Sequence, residues 1–190
     1  MAGATVYEIT VEELEQLLTD VAERFREGDL EGAAQRVSVL FSPPYAEMWR
    51  SRARRSFAKL RGKLKVNYGG RLSERTLFMR SLHILCYSMV RSIVQYLGVF
   101  PSLGSRLGMV AAGTAYRVYI DLTRGWRETA YARVVTQATG LKEGFGIPYA
   151  AAFKLMALAA AIAFYLVRNP SPIEELYYET EKIRQHTSVH

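Results

Sequence analysis

The sequence predicts an all-α protein, a basic helical N-terminal arm followed by an Ala-rich helical bundle. Three observations carry that reading. Apolar residues recur at three- and four-residue spacing along most of the chain, and helix-capping chemistry stands where such runs begin. No run of alternating polar and apolar residues occurs, and no internal repeat. With 190 residues, 49% of them apolar, the chain is long enough to bury a core. The expected division is residues 1–72 as the arm and 73–190 as the bundle, with a C-terminal helix for subunit packing.

The elements follow in order. "TVEELEQLLTDVAERFREG" opens with Thr10 as N-cap and Glu13 three residues later, a capping box. Val11, Leu14, Leu17, Leu18, Val21 and Phe25 then share one face, and Gly28 is the stop. A second helix is expected over 29–41, with Leu30, Ala33, Ala34, Val37 and Leu40 inward, ended by Ser42-Pro43-Pro44. The third is expected over 44–65 with Pro44 in its first turn, and "NYGG" (67–70) is turn chemistry. A long helix over 73–97 ends at Gly98, and a small-residue helix covers 105–122. Residues 126–139 form the next, stopped by Gly140, so "LKEGFGIP" is expected as a loop. The most apolar helix is 148–168, and Ser171, Pro172 and Glu174 start a last one.

Helix 149–167 reaches the lower end of the membrane-spanning range, but Lys154 interrupts it and many of its residues are alanines, nearly neutral for insertion. A central bundle helix is therefore expected, with contact to a lipid envelope left open. The start "MAGATVYEIT" has no basic run followed by an apolar one, so no secretory signal is expected. A single cysteine, Cys86, excludes an internal disulfide framework and fits an intracellular chain or one made inside a cell. Abundant Arg and Glu with only two Asn suit a thermophilic source, and equally a GC-rich bacterial gene.

The formal charge of +7 is unevenly placed. Residues 49–80 hold eleven Lys/Arg and one acid, Glu74, net +10, whereas residues 1–48 are net −7. On a helical projection Trp49, Phe57, Leu60 and Leu64 form one apolar stripe. Arg50, Arg54, Arg61 and Lys65 lie along one side of it, and Arg52, Arg55, Lys59 and Lys63 along the other. A solvated helix usually interleaves acids at four-residue spacing to offset like-charge repulsion, yet no acid occurs between Glu47 and Glu74. That pattern points to an external polyanion. A helix of some 22 residues spans about 33 Å, close to the ~34 Å turn of a duplex. Arg71, Arg75 and Arg80 extend the positive stripe into the next helix, and Asn67 is the one amide suited to base edges. The reading is phosphate contact without sequence choice.

Other chemistry is sparse. His83 and Cys86 share a helical face, but two ligands make no zinc site, so both are expected in the core. There is no Walker loop, and "GFGIP" is no dinucleotide fingerprint. "GSRLG" (104–108) is a weak helix-packing signal. Paired acids Glu12/Glu13 and Glu174/Glu175 sit in first helical turns, where the helix dipole accounts for them. No enzyme, metal or cofactor is expected.

The stretch "WRSRARRSFAKLRGKLKVNYGGR" (49–71), followed by an Ala-rich helical body over 73–168, resembles the major capsid proteins of filamentous archaeal double-stranded DNA viruses, the rudivirus, lipothrixvirus and tristromavirus forms. The resemblance lies in layout and charge placement. It implies a dimer of identical or paralogous capsid chains that clamps duplex DNA, in A form, inside a helical filament of the virion. Arg50, Arg52, Arg54, Arg55, Lys59, Arg61, Lys63, Lys65, Arg71 and Arg75 would then contact phosphates. The acidic 1–48 departs from the pattern, and would pack on adjacent subunits. The alternatives are a cellular helical DNA-binding regulator or chromatin-type protein, and a membrane-associated helical protein.

Overall fold

The computed structural model describes residues 9–68 and 73–176, and of residues 64–68 the backbone only. Seven α-helices are seen among them: α1 (Val11–Arg26), α2 (Leu30–Val37), α3 (Arg50–Tyr68), α4 (Glu74–Leu97), α5 (Gly104–Thr123), α6 (Thr129–Phe145) and α7 (Tyr149–Arg168). Residues 171–176 are helical as well, and no strand occurs among the described residues. The class is all-α.

α7 is the hub. It packs against α5, α6, α1 and α2, and thirteen of its side chains from Ala152 to Leu166 are buried. Its alanines let those four neighbours approach closely, which a row of leucines at the same positions would prevent. Both α4 and α7 are long and apolar enough to cross a membrane, and most of each is buried inside the fold. α4 lies across α5, and α3 lies on α4.

Helix α1 starts as its sequence dictates. Thr10 Oγ1 accepts from the Glu13 amide, and the Glu13 carboxylate accepts from the Thr10 amide. Leu14, Leu17, Leu18, Val21 and Phe25 are buried, whereas Val11, expected inward, is exposed on the first turn. Gly28 has a φ of +77°, the left-handed conformation that a helix stop requires.

Four expectations change. The second helix is α-helical only to Val37 and tightens into a 3-10 turn, Ser38–Phe41. Pro44 does not start the basic helix. It precedes a separate 3-10 turn, Tyr45–Met48, and α3 begins at Arg50. The break comes at Trp49, whose indole is buried and donates to the Leu40 carbonyl at 2.8 Å. Asn67 and Tyr68, expected in a turn, belong to the last turn of α3, while Gly69 and Gly70 lie outside the described residues. α6 runs straight through Gly140 to Phe145 because Leu141 is buried beyond it, and the stop is Gly146 at φ +69°. A glycine inside a helix costs about 1 kcal/mol. Burying one leucine more than offsets that.

The boundary expected at 72/73 does not divide two cores. α1 and α2 pack on α7, and the buried residues from Ile9 to Leu176 form one cluster. The acidic segment is therefore part of the body. Its charges are used locally: Asp20 pairs with Arg36 at 3.2 Å, and Glu31 meets Arg127 at 2.5 Å and Arg168 at 3.5 Å.

Candidate nucleic-acid interface

The apolar stripe of α3 is what fixes its basic faces. Ala53 and Phe57 are fully buried and Leu60 is partly buried, a spacing of four and three that lies against α4. Trp49 secures the start of the helix, edge-on to Phe41 at 5.9 Å, and Phe41 stacks on Tyr165 of α7 at 4.5 Å. The first half of α3 is thus tied through two aromatic contacts to the central helix.

That anchoring sorts the expected site residues into groups. Arg54, Arg55, Lys59 and Lys63 are exposed. Arg50 and Arg61 are half-buried, and the Arg61 guanidinium lies 5.8 Å from the Phe57 ring centroid. Arg75 is exposed in the first turn of α4. Lys65 and Asn67 fall within the last turns of α3, and Arg71 lies outside the described residues. At 19 residues α3 spans about 28 Å. The helix is shorter than expected but still approaches one duplex turn.

Arg52 departs from its neighbours. Its guanidinium turns onto α4, where Nε donates to Ser92 Oγ at 3.1 Å and a terminal nitrogen donates to Gln95 Oε1 at 2.6 Å. Burial, with the adjacent positive charge of Arg91, holds it below the ordinary arginine value. Arg91 in turn donates to the Tyr87 hydroxyl at 2.7 Å, and that hydroxyl meets Ser105 Oγ at 3.1 Å. Of these, Arg52, Arg91, Gln95 and Ser105 line a cleft of about 360 Å³ between α3, α4 and the start of α5.

Arg91 was not among the residues expected from sequence. Its signal was there to read: between Arg80 and Arg106 it is the only Lys, Arg, Asp or Glu, set in the apolar middle of a helix with no acid four residues to either side. The "GSRLG" spacing proves half informative. A Cβ on Gly108 would come within 3.0 Å of the Tyr87 ring, so this glycine is what lets α5 close on α4, while Gly104 has open space around it.

Of the pair expected in the core, Cys86 lies there, whereas His83 is only half-buried. Cys86 is fully buried, and burial pushes its thiol up to about 12. Burial and the charge of Arg80 lower His83. No group of three or more His, Cys, Asp or Glu suited to a metal ion occurs among the described residues. Comparison with protein-family models, with curated proteins and with solved structures finds no match for this chain.

Proposed function

We propose that this chain is a structural nucleocapsid protein: it coats double-stranded DNA without sequence choice, through phosphate contacts along α3, and assembles into a helical filament. The observation that carries this reading is α3 itself. One side is held by Ala53, Phe57 and Leu60 while Arg54, Arg55, Lys59 and Lys63 are exposed, and the sequence of α3 contains no acid. Arg50, Arg61 and Arg75 flank that row, and Asn67 is the one amide that the α3 sequence offers to a base edge.

Exposed Met109, Trp126 and Tyr131, on α5, the α5–α6 turn and α6, support self-association, since aromatic and Met side chains are favoured where chains meet. A virion, with an identical or paralogous chain as neighbour, is the setting that the resemblance supplies.

The test is binding of the whole chain to unrelated duplexes of equal length across a salt series, beside Arg54→Ala/Arg55→Ala/Lys59→Ala. Equal affinities are expected, with a steep logarithmic salt dependence whose slope shrinks by about 0.9 for each phosphate contact removed. Electron micrographs of the same mixtures are expected to show filaments. Affinity indifferent to salt, or an unchanged slope in the variant, overturns the reading. A marked preference for one duplex favours a sequence-reading regulator instead.

A further inference from the structure

The cleft behind α3 has a composition that its packing role does not explain. Two guanidinium groups, Arg52 and Arg91, converge on it, and the atoms that hold them are neutral: Ser92 Oγ, Gln95 Oε1 and the Tyr87 hydroxyl. Among the described residues no Asp or Glu lines it. Two like charges brought together in a partly buried place repel each other, and neutral acceptors orient them without cancelling that repulsion. On the opposite side stand Gly104 and Ser105, the first turn of the 20-residue α5. No side chain caps that turn, so its amides add a third source of positive potential.

We propose that this cleft binds a phosphate monoester dianion. A dianion matches two cations, and three phosphoryl oxygens offer acceptors to two guanidinium forks and a helix start at once. A carboxylate has fewer acceptors and half the charge. The cleft is larger than a phosphate group, and Val99 and Phe100 give it an apolar side against which a substituent such as a nucleoside packs. The site is separate from the duplex contact proposed above: a nucleic-acid backbone presents singly charged diesters, and the exposed row of α3 meets them elsewhere. Either proposal stands if the other fails.

The experiment is isothermal titration of the full chain with inorganic phosphate and, separately, with adenosine monophosphate. One saturable site per chain is expected. Arg91→Gln weakens it by about tenfold or more, as the loss of a charged hydrogen-bond donor does. Ser105→Asp places a carboxylate in the first turn of α5, where it favours the helix and opposes an anion, so binding disappears while thermal unfolding stays cooperative. Arg54→Gln/Arg55→Gln binds phosphate as the parent does, and the two cleft variants retain duplex binding. Tighter binding of the nucleotide than of inorganic phosphate assigns the difference to the Val99–Phe100 wall, and equal binding assigns recognition to the phosphate alone. Absence of saturable binding, or a Ser105→Asp chain that binds like the parent, overturns the proposal.

Discussion

Asp121 is the one buried acid among the described residues, and it accepts from the Arg133 guanidinium and from Thr129 Oγ1. The Arg133 hydrogen bond is the main reason that its carboxyl titrates below the ordinary 3.8. A carboxyl lowered on folding contributes stability that is complete above its unfolded value and is lost as pH falls through its folded value. Asp121→Asn is therefore expected to unfold about 1–3 kcal/mol more easily near neutral pH. The gap to the parent should begin to close as pH drops below 3.8. Urea midpoints taken from pH 7 downward check this, and a gap that never narrows refutes the role of the ion pair. None of it was legible beforehand. Asp121 and Arg133 stand twelve residues apart across the turn that joins α5 to α6, and charge pairing is readable from spacing only within one helix. Arg52 was misplaced for a related reason: a projection assigns it a side of α3, but Ser92 and Gln95 of another helix decide where its head goes.

Helices were the most legible level, and their ends the least. The Thr10–Glu13 capping box and the Gly98 stop of α4 were named from neighbouring residues, because caps are local chemistry; the Ser73 cap of α4 was not named. Gly140 misled, because whether a glycine ends a helix depends on what lies beyond it, here Leu141 in the core. The start of the basic helix misled because Trp49 answers to the carbonyl of Leu40, nine residues earlier. The same view gives a prediction. Gly62 in α3 and Gly140 in α6 are exposed helical positions where an added Cβ meets nothing within 4 Å. Gly62→Ala and Gly140→Ala should each stabilise the fold by about 0.5–1 kcal/mol, read as a higher denaturation midpoint. A lower midpoint in either would mean that the helix is not continuous there. Under the duplex contact proposed above, a stiffer α3 would also hold its cations in register against a regular row of phosphates.

At the scale of the whole molecule, the sequence suggested an acidic head, a basic clamp and a separate bundle, and the fold joins them around α7. Charge segregation was read correctly as composition and too literally as architecture. Residues 9–41 are acidic on the outside and supply Leu17, Phe25 and Leu40 to the same core as Phe153. Long-range packing of that kind leaves no mark on a helical projection, which records only which side of each helix is apolar. The body that results carries one sulfhydryl, sealed in its middle between α4 and α5, with Sγ 3.7 Å from the Ala111 carbonyl. Burial pushes the Cys86 thiol up to about 12, so at pH 8 it is scarcely ionised, and the thiolate is the reactive form. Alkylation of the native chain should therefore track the opening of the core and slow sharply whenever a ligand or an assembly closes it further. Labelling as fast as that of a free thiol would show that the interface between α4 and α5 breathes. Cys86 thus serves as a stopwatch already installed at the centre of the protein, one that times how firmly this body is held shut.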